Sequence, residues 1–194
     1  MKLVIMGPPG AGKGTQARLV AGKLGIPAIS TGDIFRRNVA EETELGLAAK
    51  QFMDAGDYVP DTLTNEMVKD RIDQDDATGG FLLDGYPRTV DQVGKLEEML
   101  GQRSAVLDAA ILLTVDQDEV VHRLAGRAEA EGRSDDSVDV IRHRQQVYTE
   151  QTAPLIELYD AQGLLIRVDG MGPIDEVTTR VFDALDQMTG ATTS

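Results

Sequence analysis

The stretch "MGPPGAGKGTQ", Met6 to Gln16, places four glycines, two prolines and one lysine directly after the apolar run "LVIM". The residues that follow carry apolar side chains at helical spacing as far as Gly25. Strand, glycine-rich loop and helix form the context in which G-x-x-x-x-G-K binds phosphate. Glycines let successive N–H groups face the phosphates, and Lys13 reaches the outer ones. We therefore predict a phosphate-binding loop; the alternative is a glycine-rich turn with a chance lysine.

Short apolar runs alternate with amphipathic stretches along the rest of the chain. Because continuous apolar strands that alternate with helices form parallel sheets covered on both faces, we predict an α/β fold in a single domain, residues 1–194. Residues 30–59 instead hold two helix-like segments with no strand between them, and residues 126–136 are polar and glycine-punctuated. We predict that both stretches leave the sheet at its functional edge. The further strands are predicted in "IPAIS", "GFLLDG", "AAILLTV" and "LLIRVDG".

The composition excludes several classes of protein. Hydrophobic residues make up 41% of the 194 residues and charged residues 27%, which predicts neither disorder nor a membrane span. The net charge of −14 disfavours nucleic acid and anionic lipid as partners. The chain contains no cysteine, which excludes disulfides, thiolate nucleophiles and cysteine-ligated zinc, and its two histidines, His122 and His143, are isolated. We expect a cytoplasmic protein that binds neither nucleic acid nor membrane.

Positive charge is concentrated in one segment of this acidic chain. Five arginines lie within residues 123–144, where a polyanionic ligand could bind despite the net charge. The alternative is a solvated helix face that pairs arginines with acids, and we expect it to hold for Arg142. The five are Arg123, Arg127, Arg133, Arg142 and Arg144.

The loop departs from the general motif at one position. Gly14 stands where a Ser or Thr commonly ligates magnesium, and Thr15 follows one place later. Magnesium would then be held mostly through water and by an acid elsewhere. Asp84 ends the apolar strand "GFLLD" and should lie beside the loop in a parallel sheet. The alternative for a strand-terminal aspartate is a helix cap.

Two further segments bring charged residues to the same edge. In "DGYPR", Gly85 and Pro87 are typical of a tight turn, and Arg88 follows it. In "STGDIFRR", we expect Thr31 to cap a helix that carries Arg36 one turn on. Taken alone, the second segment is an ordinary helix start with a surface arginine. Together the segments predict a lysine, an aspartate and several arginines at one sheet edge.

The segments "GPPGAGKGT", "STGDIFRR", "DGYPR" and "TAPLIELY" occur in that order over nearly the whole chain. In them the chain resembles the adenylate kinase family, whose members interconvert ATP plus AMP with two ADP. The resemblance implies a three-layer P-loop sandwich with a five-stranded parallel sheet. It also implies an AMP-binding insertion at residues 30–59 and a short lid at residues 126–136, which lacks a cysteine or histidine knuckle. We therefore expect no structural zinc, and a monomer.

The resemblance also implies which residues contact each substrate. ATP would be bound by the glycine-rich loop, by two arginines before and within the lid, and by a glycine near the C-terminus. These residues are Gly10, Ala11, Gly12, Lys13, Gly14, Thr15, Arg123, Arg127 and Gly172. AMP would be surrounded by Thr31, Arg36, the backbone of Asp57, Tyr58 and Val59, then Gly85, Tyr86, Pro87, Arg88, Gln92, Arg133 and Arg144. Asp135 and Asp136 match an acidic pair that orients the lid. The catalytic cations would be Lys13, Arg88, Arg127, Arg133 and Arg144, with magnesium near Asp84.

Three other functions are weighed against this one. A kinase for another nucleoside monophosphate, UMP or CMP, would share the loop and "DGYPR", but in this family Thr31 and Gln92 favour adenine. A GTPase would want Ser or Thr after Lys13 and an Asn-Lys-x-Asp motif, which the sequence lacks. A scaffold without chemistry would not need the arginines.

Overall fold

The computed structural model describes residues 1–116, 120 and 138–190. Five parallel strands form one sheet in the order β2-β3-β1-β4-β5. The predicted five-stranded parallel sheet is thereby confirmed. The strands are β1 (Lys2–Met6), β2 (Ala28–Ser30), β3 (Phe81–Asp84), β4 (Ala109–Thr114) and β5 (Leu165–Asp169).

Helices connect the strands and cover both faces of the sheet. None of those in the described ranges is long and apolar enough to cross a membrane. A 3₁₀ turn at Asp75–Ala77 precedes β3, and a π-helical segment at Tyr148–Thr152 directly follows the helix that ends at Val147. In the part of the chain that the structure describes, the helices with defined bounds are α1 (Lys13–Leu24), α2 (Thr31–Ala40), α3 (Glu44–Ala55), α4 (Asp61–Ile72), α5 (Val90–Gly101), α6 (Val138–Val147), α7 (Pro154–Ala161) and α8 (Ile174–Gly190).

Alternate residues of β1 enter two separate hydrophobic cores. Leu3 and Ile5 pack with the apolar sides of α1 and α8, whereas Val4 and Met6 pack with α4, α5 and α7 on the opposite face. All four side chains are almost fully buried. A strand buried on both faces cannot alternate apolar and polar residues, which explains the continuous apolar runs in the sequence. The sheet is thus the middle of three layers.

The strand order places the phosphate-loop segment at the centre of the sheet. The chain leaves β1 toward β2 on one side and leaves β3 toward β4 on the other, so the carboxyl ends of β1 and β3 flank a crevice. In the register, Ile5 of β1 pairs with Asp84 of β3. The glycine loop after β1 and the turn after β3 therefore emerge side by side. Helices α2 and α3 follow β2 with no strand between them, as the sequence predicted.

Candidate active site

The loop after β1 curls over the start of α1. Gly7, Gly10 and Gly12 all have positive φ, at 143°, 87° and 87°, which L side chains rarely adopt. Gly12 lies at the N-cap of α1, so the free N–H groups of the first helical turn face the loop. Lys13 Nζ donates to the carbonyl oxygens of Gly7 at 2.8 Å and Pro8 at 2.9 Å. Its ammonium is thereby held over the concave side of the loop.

Asp84 lies against this loop at the end of β3. A Cβ atom built at Gly14 would lie 3.4 Å from Asp84 Oδ2, so a side chain at residue 14 would stand directly beside the carboxylate. Desolvation raises the pKa of Asp84 above its ordinary value, while the charges of Lys13 and Arg88 act in the opposite direction. The predicted placement of Asp84 beside the loop is confirmed, and no helix-capping role is found for it among the described residues.

The turn after β3 packs against the start of α2. Gly85 has a φ of 81°, and a Cβ there would lie 2.7 Å from Thr31 Oγ1 and 2.9 Å from Arg88 Nη2. Thr31 Oγ1 donates to the Gly85 carbonyl at 3.0 Å. The expectation that Thr31 caps α2 is wrong: Ser30 is the N-cap and accepts from the Asp33 N–H at 3.3 Å. The preceding serine reaches the exposed amide, whereas the buried Thr31 turns inward to the neighbouring strand end.

Gln92, which is buried, is held by polar contacts at both ends of its amide. Its Oε1 accepts from the Arg88 N–H at 2.7 Å, and its Nε2 donates to Asp61 Oδ1 at 2.6 Å. Asp61 Oδ2 in turn accepts from Thr89 Oγ1 at 2.7 Å. Because a main-chain N–H can only donate and a carboxylate only accept, the amide has one orientation. Each end of it retains one hydrogen-bonding position for a ligand.

Helix α6 closely approaches the loop that ends α3. A Cβ at Gly56 would lie 2.9 Å from Val140 Cγ1 and 3.1 Å from Arg144 Cγ, so only a glycine fits at this packing distance. His143 Nε2 lies 2.6 Å from Asp57 Oδ1 across the same contact. These contacts bring Arg144 to the crevice. Arg142 lies on the solvent side instead, with Nη1 3.9 Å from Asp139, which confirms its predicted surface role.

Two cavities open at this edge of the sheet and adjoin each other. The first, of about 530 Å³, is bounded by Pro9–Gln16 and Gly172. The second, of about 120 Å³, lies between α2, residues 56–59 and residues 85–88. Cations line both cavities, so this edge can attract an anionic ligand despite the net charge of −14. The cations common to the two linings are Lys13, Arg36, Arg88 and Arg144.

Comparison with known proteins agrees with this geometry. The sequence model of the family described as "Adenylate kinase" matches residues 5–164. A relative named adenylate kinase in Nocardioides sp. is 63% identical over 96% of this chain and 97% of its own length. Relatives of the same name in Kocuria rhizophila and Thermobifida fusca are each 56% identical, covering 96% and 95% of this chain and 99% and 98% of their own lengths. The chain belongs to the adenylate kinase family.

The residues that the adenylate kinase resemblance assigned to ATP and AMP line the two cavities, and five of them line both: Lys13, Arg36, Gly85, Arg88 and Arg144. The loop residues 10–15 and Gly172 line the first cavity. The second is lined by Thr31, Arg36, Asp57, Tyr58, Val59, Gly85, Pro87, Arg88, Gln92 and Arg144. The Tyr86 side chain is not among the linings: it is buried, and its hydroxyl donates to Asn65 Oδ1 at 2.7 Å. The predicted lid at residues 126–136 lies outside the described residues, with Arg123, Arg127, Arg133, Asp135 and Asp136.

Several side chains that line or support the two cavities were not predicted from the sequence. Arg18 lines the first cavity, and Tyr148 and Thr152 line the second. Asp61 contacts Gln92, which lies 31 positions later in the chain. Thr152 opens "TAPLIELY", one of the segments that carry the family resemblance, and its position there was a usable signal. The contact of Asp61 with Gln92 could not be predicted from the sequence, because an aspartate after a proline is typical of an ordinary helix start.

Proposed function

We propose that ATP binds with its phosphates in the cavity bounded by Pro9–Gln16, and that AMP binds in the adjoining cavity beside Thr31 and Gln92. The reaction is that of the family: reversible transfer of a phosphoryl group from ATP to AMP, which gives two ADP. The observation that carries the assignment is the set of four cations common to both cavities. Two polyphosphates with their reacting ends at this junction would have their mutual repulsion neutralised where transfer occurs.

The chemistry requires alignment and neutralisation of charge, without a general base. The phosphate of AMP is already ionised at neutral pH, unlike a hydroxyl acceptor. One of its oxygens attacks the γ-phosphorus of ATP while the bond from that phosphorus to the bridging oxygen breaks, and ADP leaves with the electron pair. Lys13 supplies a compact charge, and arginine forks bind two phosphate oxygens at once. Arg127 and Arg133 stay predicted contributors from the lid.

Magnesium enters as part of the nucleotide substrate. Within residues 1–116, 120 and 138–190, no three or more His, Cys, Asp or Glu side chains lie close enough together to hold a metal ion. The carboxylate of Asp84 fits a water-mediated role, since it lies beside the loop where residue 14 contributes no side-chain oxygen. Magnesium would neutralise part of the phosphate charge, and Asp84 would accept hydrogen bonds from water bound to the ion.

The fixed amide of Gln92 favours adenine over another base on the same scaffold. Adenine presents an acceptor nitrogen beside an amino donor, and the oriented amide offers a donor beside an acceptor. Uracil, the base of UMP, offers an N–H flanked by carbonyl oxygens and so reverses part of this pattern. The amide therefore places AMP ahead of UMP as the acceptor. Cytosine presents the same acceptor beside an amino donor as adenine, so the preference for AMP over CMP rests on the family resemblance at Thr31 and Gln92.

An assay of diphosphate formation tests this function. The protein is incubated with ATP, magnesium and AMP, UMP or CMP in turn, and the nucleotides are separated. We expect two ADP from each ATP and AMP consumed, with at least about tenfold lower kcat/KM for the other monophosphates, corresponding to about 1.4 kcal/mol. ATP hydrolysis at the same rate without AMP would contradict a transfer reaction.

Lys13→Met is the matched control for this assay. Methionine has a similar length but no charge, so the loop can keep its conformation while the outer phosphates lose a cation. We expect kcat to fall about a hundredfold or more, with little change in the melting temperature. A variant that unfolds with the loss of activity would show that Lys13 mainly holds the loop together.

A further inference from the structure

The side chain of Tyr58 contacts the guanidinium of Arg88, although the family resemblance implied a role only for the Tyr58 backbone. Tyr58 lies in the loop between α3 and α4, and Arg88 lies in the turn after β3. The Arg88 Cζ atom stands 4.7 Å from the centroid of the Tyr58 ring. This distance is within the range of a cation–π interaction. Both side chains line the smaller cavity, and both are half-buried.

Two hydrogen bonds from a third segment, through Thr152, join Tyr58 to Arg88. Thr152 is buried at the end of the π-helical segment, and its Oγ1 donates to the Arg88 carbonyl at 2.9 Å. The same Oγ1 lies 2.8 Å from the Tyr58 hydroxyl. Since a threonine hydroxyl has one proton, which is used on Arg88, the Tyr58 hydroxyl must be the donor to Thr152. The ring is therefore anchored at its far end to the residue whose guanidinium it contacts.

The contact leaves the edge of the guanidinium available. Arg88 Nε donates to the Gly85 carbonyl at 2.8 Å, whereas neither η nitrogen donates to another residue in the described part of the chain. An aromatic ring engages the face of a guanidinium, while phosphate oxygens bind in its plane along the edge. Tyr58 can therefore restrict the rotamers of Arg88 without competing for the donors that a phosphate needs.

We propose that the Tyr58 side chain is a positioning residue, an aromatic platform that holds Arg88 in the orientation in which it binds the AMP phosphate. The inference rests on the proposed function, because it assumes that Arg88 contacts AMP. It assigns the ring a role through Arg88, and the hydroxyl a role in fixing the ring through Thr152.

Two substitutions at Tyr58 separate the ring from the hydroxyl. Tyr58→Leu removes both, and we expect kcat/KM for AMP to fall about tenfold, within the range of a cation–π contact, while KM for ATP stays within about twofold. Tyr58→Phe keeps the ring and should lose only about twofold to threefold. Phe52→Leu is the matched control. It removes a partly buried ring from the same insertion, and the Phe52 ring lines neither cavity.

Thr152→Val tests the hydrogen-bond chain with an isosteric side chain. If the hydroxyl of Tyr58 acts through Thr152, the double variant with Tyr58→Phe should lose no more kcat/KM for AMP than the larger single effect. Additive losses would contradict the chain. The platform is overturned if Tyr58→Leu leaves kcat/KM for AMP unchanged, or raises KM for ATP and AMP equally with the same fall in melting temperature as Phe52→Leu. A wild-type protein that forms no ADP from ATP and AMP would instead overturn the proposed function.

Discussion

The carboxyl group of Asp84 lies where burial disfavours its ionised form. Desolvation at the end of β3 raises its pKa, and Lys13 and Arg88 offset this only in part. A carboxyl whose pKa is raised on folding stabilises the folded state below its unfolded pKa, and this contribution is lost as the pH rises through the folded pKa. At neutral pH the charge of Asp84 therefore lowers the stability of the free protein. A magnesium ion bound with the nucleotide would add a further positive charge beside Asp84.

Asp84→Asn should therefore stabilise the free protein and impair the reaction. We expect a larger free energy of unfolding than wild type at pH 7, with the difference shrinking toward acid pH as wild-type Asp84 becomes protonated. The kcat should fall about tenfold or more if the carboxylate orients water on magnesium. Urea denaturation at several pH values measures the first effect, and the ADP assay measures the second.

Asp160→Asn provides a control of opposite sign. A hydrogen bond from Arg167 lowers the pKa of Asp160, so its contribution is present above the unfolded pKa and is lost as the pH falls through the folded pKa. This variant should be no more stable than wild type at pH 7 and should keep full activity, since Asp160 lines neither cavity. Equal stabilisation by both asparagines would refute the explanation from burial.

Sequence reasoning at this scale found residues whose roles follow from local context. Lys13 and Asp84 were placed correctly because a loop after one strand and an aspartate after its neighbour must share an edge. Thr31 was misplaced by one residue as a cap, because Ser30 and Thr31 are both good N-caps and only packing decides which side chain turns inward. The bond from Gln92 to Asp61 depends on tertiary contact, which no local pattern encodes.

Close packing of α2 against α3 determines the shape of the insertion at residues 30–59. Gly46 lies in the first turn of α3, and a Cβ atom there would overlap the carbonyl group of Asn38 in α2. Thr43 caps α3 by accepting from the Gly46 N–H at 3.1 Å, and its hydroxyl lies 2.7 Å from Asn38 Oδ1. The two helices are therefore joined backbone to backbone at this point, with no side chain between them.

Gly46→Ala should destabilise the protein because the added methyl group has no space. We expect a loss of about 2–3 kcal/mol in the free energy of unfolding. Gly22→Ala is the matched control in α1, since a Cβ there meets no atom within 4 Å. It should gain about 0.5–1 kcal/mol, because alanine costs less backbone entropy in a helix. Thermal or urea unfolding compares the two, and equal effects would contradict the packing explanation.

Elements were easier to predict than their contacts. The five strands were each found from a short apolar run, and α1 was predicted to end at Gly25, which has a left-handed conformation at the C-cap. Two helices were predicted in residues 30–59 because no apolar run interrupts the amphipathic pattern there. Their close crossing was not predicted. A glycine such as Gly46 inside a helical pattern indicates only a weaker helix propensity and does not indicate which helix packs against it.

At the scale of the whole molecule, an acidic chain gathers cations at the junction of two cavities. Lys13 comes from α1, Arg36 from α2, Arg88 from the turn after β3 and Arg144 from α6. No single segment supplies the junction, so the fold itself concentrates the charge. The sequence predicted that Lys13, Arg36 and Arg88 would meet, because segments that follow parallel strands share one edge, whereas Arg144 was added by the family resemblance. It could not predict that the same four side chains would line both cavities.

A bisubstrate analogue tests this arrangement most directly. Two adenosines joined through a chain of phosphates would span both cavities if their phosphate ends meet at the four shared cations. In calorimetric titration with magnesium we expect one analogue to bind per chain, competitively with both ATP and AMP, and Arg88→Ala to weaken its binding by about tenfold or more. Binding of two analogues per chain, or competition with ATP alone, would contradict the central claim that the two nucleotides react across one shared set of cations.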